Sequence, residues 1–515
     1  MLLSRKIPFN FILLGVSASL PYFVTGAALT RWLRVEGIDL SDIGLLSLGG
    51  LIVAANFLWS PLINSLKIPL LGTYIGLRRS WLAASQITLA ILFFSLSMIS
   101  PSASFITLFI IVLLIFFVAS VQDISMDAYR VEYDEFFATE NLASSYVVGW
   151  RIGTYLFGSV IFSAESSLSW PLILKILSVV MLLMVIVTLA SKKVKEAQIS
   201  KFGFNDFFPA LKQFIQNKNF VVILLLIAFF RLSDTVLGYM AYPFYTDVGF
   251  TGNDLAVKNL YNFVATFVGA FSAALFMQKT SLLRGLFVAS LTILFTNLLF
   301  SYLALYPTLS NLIWINFIDT FAQAFATACF LAFLVSLINR KFTAIQHAVF
   351  TSLMLVPGYV MRGYSGFFVE SLDYYNFFLL CGFFGLPSVL LTYYLLRSTV
   401  FSTENILKLI SIFLIISILI VSMINFGNYS NQFNDDLIHF SMYFFLTLVV
   451  FAASKKTHYL VLLLLLIIMG ISIEIAQYFT GLRYFEYMDI IANSLGILGG
   501  FLIYITRHKT LKKIS

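Results

Sequence analysis

Long apolar runs recur along the whole chain, separated by short polar connections. Each run has about 20 residues, the length that a helix needs to cross the hydrocarbon core of a membrane, and about sixteen such runs fit into the chain. Only 11% of the 515 residues are charged and 60% are hydrophobic, whereas soluble proteins carry about 25% charged residues. The pattern predicts an all-α polytopic membrane protein and excludes a soluble enzyme, a disordered chain and a disulfide scaffold.

The predicted spans fall into three blocks. One long polar connection, 191–218, separates six spans from six more, and four further spans follow after about residue 400. Two six-helix lobes joined by a cytoplasmic linker are typical of secondary transporters, which bind their substrate between the lobes. The linker itself is an amphipathic surface helix or a solvated connector. The predicted domains are 1–190, 191–218, 219–400 and 405–510.

The positive charges indicate the topology. About three quarters of the 32 Lys and Arg residues lie in or beside alternate connections on one side, and Arg31, Arg34 and Arg483 lie on the other. The positive-inside rule then places both termini in the cytoplasm. The net charge of +8 is thus topological, and no nucleic-acid partner is predicted. The first apolar run lacks a small-residue cleavage site, so we interpret it as a retained helix rather than a signal peptide.

Charged groups at bilayer depth are functional candidates by default because they are costly to insert. The densest cluster ends the fourth predicted span, where Asp123 and Asp127 share one helix face. Arg151 in the fifth span is the expected partner. We predict a proton-coupling or gating site, with a static ion pair between the two spans as the alternative. In the same cluster, Arg130 is a predicted gating residue. Gln122 and Trp150 are predicted substrate contacts.

The second six-span block supplies further candidates. Arg231 and Asp234 are three residues apart on one helix face. A buried Arg suits a carboxylate or phosphate, unless Asp234 neutralises it internally. Asp319 and Gln323 form an i,i+4 pair, and Arg362 has no acid nearby in the sequence. Together with Asn259, which lines a cavity or bonds to another helix, these residues form the predicted substrate site.

Ordered motifs run through the first 400 residues. They are GVSASLP at 15–21, WLRVEGIDL at 32–40, LWSPL at 58–62, RRSWL at 78–82, QD…DA at 122–128, RLSD at 231–234, VGF at 248–250, ATFVGA at 265–270 and GFFVE at 366–370. With these motifs the region resembles the AmpG muropeptide permeases of the major facilitator superfamily. The resemblance implies a 12-helix fold and proton-dependent import of GlcNAc–anhydroMurNAc, with or without its peptide, for cell-wall recycling.

The chain departs from this family at two charged positions. Asn64-Ser65 replaces the family's Asp-Arg between spans two and three, which predicts a weaker cytoplasmic gate. Asn259 replaces the family's Lys on span eight, with Lys258 adjacent. Because a shift of one residue rotates a helical side chain by about 100°, we expect that Lys258 does not take over that position.

The C-terminal block carries a second set of motifs. DDLIHFSMYF at 435–444, EIAQYF at 474–479 and NSLG at 493–496 resemble the VanZ-like family. On the predicted topology one polar site collects near the periplasmic half, formed by His439, Glu474, Gln477, Arg483, Asp489 and Asn493. The resemblance implies a cell-envelope role connected with glycopeptide resistance. A structural network, a metal site and an acid–base pair remain open, but one His is few for a metal site, so we predict none.

The sequence therefore predicts a transporter rather than an enzyme. The chain lacks a Walker A loop, so transport would be driven by a gradient. We expect a monomer in the bacterial inner membrane that takes a muropeptide and protons as partners and needs no cofactor. The alternatives are a transporter of the same fold with another cargo and a non-transporting, VanZ-like envelope factor.

Overall fold

A computed structural model describes residues 7–69, 71–194, 219–337, 343–397, 435–454, 459–480 and 487–514, and four single positions between 411 and 418. Side chains are not described at 135, 343–348, 435–438, 476–480 and 507–514. The described chain forms two compact units. The first comprises residues 1–370 and 374–396, and the second comprises 371–373 and 397–515. Most of the predicted linker and most of the predicted span 405–424 lie outside the described residues.

All regular structure in these described residues is helical. The α-helices of the first six spans are Phe9–Phe23, Leu29–Val35, Leu40–Leu46, Gly50–Ala54, Ser60–Ser65, Leu71–Ile75, Leu77–Leu96, Phe105–Glu132, Thr139–Arg151, Gly158–Ala164 and Trp170–Ala190. Those of the next six are Phe220–Phe229, Leu232–Asp247, Gly252–Lys279, Leu282–Leu305, Leu309–Leu337, Thr343–Gly363, Ser365–Phe384 and Leu386–Arg397. We call these two sets the N-lobe and the C-lobe.

The helices fit a multi-pass membrane protein. Within the described residues, twelve helices are long and apolar enough to cross a membrane, six in the N-lobe, five in the C-lobe and one at Tyr487–Thr506. The helix Thr343–Gly363 completes six spans in the C-lobe, and two more C-terminal helices are apolar but shorter. The fold class is therefore confirmed as 6+6 spans with additional C-terminal helices. Many apolar side chains on the long helices remain exposed, including Ile106, Val160, Phe271 and Phe295, as expected for surfaces that face lipid.

Several of the described spans are interrupted, and three of them reach the region between the lobes. Span one has a π-helical segment at Val24–Ala28, and span five has one at Ile152–Phe157. Span seven breaks between Phe229 and Leu232. Such irregular turns are frequent at functional sites, and in transporters they line the cavity where backbone groups find partners. The interruptions therefore indicate where the lobes form a site.

Close packing of spans one and five depends on glycine. A methyl group at Gly149 would overlap the backbone oxygen of Ile12, and one at Gly15 would overlap that of Tyr146. Small residues allow two backbones to approach in a membrane, where lipid removes the hydrophobic drive for helix association. The contact holds the π-helical turn of span five against span one.

An ion pair lies beside Asn64, where the sequence predicted a weaker cytoplasmic gate. Arg78 pairs with Glu132, at 2.7 Å between Nη2 and Oε1, and its Nη1 donates to Asn64 Oδ1 at 2.5 Å. Asn64 thus still binds an arginine at the position where the family's Asp is missing. Glu132 supplies the negative charge.

The second unit contains three described helices, Asp435–Ala453, Tyr459–Thr480 and Tyr487–Ile514. Its core includes Tyr443, Leu446, Phe451 and Ile497. The first and third of these helices pack closely because Gly496 faces the backbone oxygen of Phe440 and Gly500 faces that of Phe444. Glycine at these two positions therefore lets the two helix backbones approach closely.

Candidate functional site

A polar cavity lies between the two lobes of the first unit. Its volume is about 260 Å³. The N-lobe contributes side chains from spans one and five, and the C-lobe from spans seven, eight, nine and ten. The polar and aromatic lining consists of Tyr22, Phe23, Trp150, Thr154, Tyr155, Tyr242, Tyr245, Lys258, Asn262, Phe300, Asn316, Asp319, Thr320 and Gln323. The predicted residues Trp150, Asp319 and Gln323 are among them.

The interrupted helices supply part of this wall. Ala27 comes from the π-helical turn of span one, and Thr154 and Tyr155 come from that of span five. A π-helical turn inserts one extra residue and so shifts the face that the next side chains occupy. The two N-lobe spans therefore present polar and aromatic groups to the cavity at the same depth.

Tyr22 connects the cavity to Asp123. The Tyr22 hydroxyl donates a short hydrogen bond to Asp123 Oδ2. Asp123 is not itself a lining residue, so its contact with the cavity runs through the phenol. A part-buried carboxylate behind a hydroxyl can exchange a proton with the cavity along a single hydrogen bond.

The C-lobe wall carries one cation and one carboxylate. Lys258 is 3% exposed, donates to the Tyr242 hydroxyl at 3.2 Å, and lies 4.5 Å from that ring's centroid. Asp319 accepts from Gln323 Nε2 at 2.7 Å and from Thr296 Oγ1 at 3.0 Å. The predicted i,i+4 pairing of Asp319 with Gln323 is confirmed. A buried ammonium and a buried carboxylate on one wall suit a cargo that carries charge.

Of the two neighbours Lys258 and Asn259, it is Lys258 that reaches the cavity. Lys258 lines the cavity, whereas Asn259, the predicted substrate contact, does not. Asn259 is buried with its amide beside Gly158 of span five, where an added methyl group would lie 3.0 Å from Nδ2. The rotation of about 100° between neighbouring residues here turns Lys258, not Asn259, towards the cavity.

Gln122 also lies elsewhere than predicted. It is fully buried and donates to Ser17 Oγ at 3.1 Å, and Gln86 Nε2 donates to the same oxygen at 2.9 Å. Thr188 in turn donates to Gln86 Oε1 at 2.8 Å. Neighbouring residues of a helix point in directions about 100° apart. Asp123 points towards Tyr22, and Gln122 therefore points into the interior of the N-lobe. It is part of an interhelical network and not a lining residue.

The expected pairing of Arg151 with the two aspartates is not what the structure shows. The Arg151 guanidinium lies over the Trp150 ring, 5.6 Å from its centroid. Asp127 pairs with Arg130 at 3.1 Å, and the Asp127 side chain is 62% exposed. An exposed i,i+3 pair is available locally, so Asp127 needs no partner from span five.

The remaining C-lobe cations lie outside the cavity lining. Arg231 pairs with the buried Asp234 at 2.9 Å and donates to Thr327 Oγ1 at 2.5 Å. This is the internal neutralisation weighed as an alternative. Arg362 lies 4.3 Å from the ring centroid of Tyr239 and 4.6 Å from that of Tyr359. Aromatic faces therefore hold it in place.

Polar contacts join the lobes at the end that carries the 36–39 and 248–251 turns. Arg34 Nε donates to Asp247 Oδ1 at 2.6 Å, and the Ser41 amide donates to Glu370 Oε1 at 2.9 Å. Arg31 is buried and donates to the backbone oxygen of Phe250 at 2.9 Å. We call these contacts the inter-lobe clasp. It ties the two lobes together at this end.

The polar residues of the second unit form a compact cluster. His439 Nδ1 lies 3.1 Å from Asn493 Oδ1, and His439 Nε2 lies 3.6 Å from Asp489 Oδ2. One ligand atom each of His439, Asp489 and Glu474 lies within 4.8 Å of the others. The predicted convergence of these four residues is therefore observed. The side chain of Gln477 and the residue Arg483 lie outside the described residues.

Sequence reasoning missed several groups of the cavity. Tyr242, Tyr245 and Asn316 lie in apolar runs, where Tyr245 and Asn316 are buried and Tyr242 is part-buried. Tyr245 donates to Asn316 Oδ1 at 2.8 Å, so the two residues support each other. The signal that could have found them is the cluster of Tyr residues on one face of span seven.

Comparisons with known proteins agree with this architecture. The chain is 28% identical over 399 residues to the putative transporter AmpG 4 of Rickettsia conorii, covering 75% of this chain and 96% of that one. It is 28% identical over 387 residues to the anhydromuropeptide permease of Escherichia coli K12, covering 74% and 78%. A family model described as VanZ/LLP1 matches residues 384–508.

Solved transporter structures share the fold. The nucleoside transporter NupG superposes with a TM-score of 0.60 at 12% identity, covering 77% of this chain and all of NupG. A D-xylose–proton symporter superposes with a TM-score of 0.56 at 13% identity, covering 76% and 98%. Together the comparisons support a secondary transporter. The chain is thus similar to the AmpG transporters over its first three quarters, with the major facilitator fold, and is VanZ-like at its C-terminal end.

Proposed function

We propose that this protein is a proton-coupled secondary transporter that imports muropeptides across the bacterial inner membrane. The observation that carries the proposal is the inter-lobe cavity, where a buried Lys258 stands among amides, phenols and an indole. A muropeptide offers the complementary groups, which are carboxylates for an ammonium, hydroxyls and amides for Asn, Gln and Tyr, and a sugar face for Trp150. The name of the Escherichia coli relative, an anhydromuropeptide permease, points to the same cargo.

Proton coupling is assigned to Asp123. A carboxyl group that is hydrogen-bonded to Tyr22 at the cavity wall is positioned to bind a proton when the cavity is open and to release it after the lobes rearrange. Asp127 and Arg130 lie one and two turns further along the same helix and form part of the gating region. Arg151 contributes by fixing the Trp150 ring.

In this proposal Asp319 and Gln323 contact the cargo directly. The other predicted substrate residues lie behind the cavity wall and act by positioning it. They are Gln122, Arg231, Asp234, Asn259 and Arg362. The domains follow the predicted division into residues 1–190, 191–218, 219–400 and 405–510. Both termini face the cytoplasm and the transporter works as a monomer. The inter-lobe clasp then lies on the periplasmic side, so the structure represents a state closed towards the periplasm.

Cargo class is tested with the purified full-length protein. GlcNAc–anhydroMurNAc-tripeptide is expected to raise the Tm in detergent, because a ligand that binds only the folded state stabilises it by mass action. A nucleoside, D-xylose and 5-aminolevulinic acid serve as the comparison set, since transporters of this fold are described with these cargoes. Stabilisation by one of these compounds, with none by the muropeptide, would contradict the proposed cargo.

Weakening the inter-lobe clasp is expected to open the cavity towards the periplasm. Arg31→Met removes the buried donor to the Phe250 oxygen, and hydrogen bonds from charged donors contribute about 1.5–3 kcal/mol each. A single cysteine at Ala27, which lines the cavity, is labelled with an impermeant maleimide after Cys329 and Cys381 are replaced. Labelling should be about 10-fold faster or more than in the parent.

The matched control for this variant is Arg284→Met, an exposed arginine at the beginning of span nine. It should label at the parental rate. Equal labelling of the Arg31→Met protein and its parent would show that the clasp does not keep the cavity closed.

A further inference from the structure

The polar cluster of the second unit has the composition of a metal site. Its residues come from three separate helices. His439 lies near the start of the first helix, Glu474 follows 35 residues later and Asp489 another 15 residues after that. Glu474 is fully buried and Asp489 is 3% exposed. The cluster thus brings together one imidazole and two carboxylates, which are donor types that bind divalent transition metals.

The spacing of the ligand atoms fits one ion better than direct hydrogen bonds. His439 Nε2 and Asp489 Oδ2 are 3.6 Å apart, which is too far for a hydrogen bond. Metal–ligand bonds of about 2.1 Å in tetrahedral geometry separate neighbouring ligand atoms by about 3.4 Å. The ligand atoms of the three side chains lie within 4.8 Å of one another, so small side-chain rotations would bring all three to a single ion.

Asn493 orients the imidazole of His439. His439 Nδ1 faces Asn493 Oδ1 at 3.1 Å, and Asn493 is 3% exposed. An Nδ1–H that donates to this amide oxygen leaves the lone pair on Nε2, on the side of Asp489. Metal-binding histidines are commonly held by such a hydrogen bond from the other ring nitrogen.

Tyr443 adds a third, independent observation. It lies one helical turn after His439, is 2% exposed and interacts electrostatically with Glu474. Its hydroxyl makes no hydrogen bond within the described part of the chain. Gly470, one turn before Glu474, leaves room there, since an added methyl group would lie 3.5 Å from the Tyr443 oxygen and 3.6 Å from Asn493 Cβ. A buried hydroxyl without a partner beside the carboxylates suits a water bound to an ion.

We propose that His439, Glu474 and Asp489 bind a divalent transition metal of the Zn²⁺ class, with Asn493 as the positioning residue for His439. One imidazole and two carboxylates leave at least one coordination position for water, as in zinc sites that are not closed by protein ligands. The His439 side chain is 12% exposed, which gives the ion a path of entry. The site lies in the second unit alone and does not depend on the proposed transport function.

The test uses the full-length protein in detergent, treated with a chelator and then dialysed against Zn²⁺ alone. Bound zinc is measured by mass spectrometry over a range of free concentrations. We expect one Zn²⁺ per chain in excess of what Glu474→Gln binds, and at least about 100-fold weaker binding in Asp489→Asn. Asn493→Ala should weaken binding by about 10- to 100-fold, the usual effect of losing an outer hydrogen bond.

The matched control is Glu140→Gln, an exposed carboxylate in the first turn of another helix, which should bind zinc like the parent. Zinc should also raise the Tm of the parent and of this control but not that of Glu474→Gln. Where a buried variant fails to fold, His439→Asn replaces it because that side chain reaches the surface. Equal zinc binding by the parent, Glu474→Gln and His439→Asn would overturn the proposal, whatever the transport assays show.

Discussion

Replacing Lys258 with methionine is expected to lower muropeptide uptake at subsaturating concentration by about 30-fold or more. Lys258 is a buried cation on the cavity wall. Removing one partner of a buried charge pair costs about 2–5 kcal/mol, and each 1.4 kcal/mol is a factor of ten. The loss should appear mainly as a higher KM, because the ammonium binds the cargo and takes no part in a chemical step.

Two comparisons isolate this effect. Lys279→Met removes an exposed lysine from the end of the same helix and should transport like the parent. A muropeptide whose peptide carboxylates are amidated should be transported by the parent and by Lys258→Met at similar rates. If Lys258→Met transports the free acid with the parental KM, Lys258 does not bind the cargo carboxylate.

Asp123→Asn is expected to abolish accumulation of cargo against a gradient while exchange of cargo across the membrane continues. The amide has nearly the same shape and can still accept from the Tyr22 hydroxyl, but it cannot carry a proton. In vesicles with an imposed pH gradient, the ratio of internal to external muropeptide should fall to about one, since equilibration without a driving ion ends there. Counterflow under equal pH should persist.

The control for this variant is Asp134→Asn, an exposed carboxylate just after the same helix, which should accumulate cargo normally. Normal accumulation by Asp123→Asn would remove this residue from the coupling mechanism. Loss of accumulation in Asp319→Asn alone would place coupling on the C-lobe wall instead.

The local pairs were predictable because they depend only on helical spacing. Arg231 with Asp234 and Asp319 with Gln323 lie three and four residues apart, and both pairs are observed. The number and order of the described spans follow from apolar length, since a membrane leaves backbone polar groups no other option than the helix. These features need no knowledge of which helix lies next to which.

The direction of each side chain was less predictable. Gln122 and Asp123 are neighbours in the sequence, yet one enters a buried network and the other reaches Tyr22. Lys258 is offset by one residue from the family's position, and the packing of span eight turns it into the cavity. Helix rotation depends on the neighbouring helices, and the π-helical turns in spans one and five shift it further.

The cluster in the second unit illustrates the same limit. Its residues were found as polar groups in apolar helices, and their convergence was expected from the topology. The distances that favour an ion, such as 3.6 Å between His439 and Asp489, depend on the packing of three helices. In the sequence, the single histidine argued against a metal.

The most direct test of the account is uptake of labelled GlcNAc–anhydroMurNAc-tripeptide by cells that lack their own permease and produce this protein. Uptake should exceed that of cells with an empty vector and should fall to the vector level when a protonophore is added. Asp134→Asn should behave like the parent, whereas Asp123→Asn should take up muropeptide only until the internal and external concentrations are equal. No uptake by cells in which the protein is shown to be present in the membrane, or uptake unaffected by the protonophore, would contradict proton-coupled muropeptide import.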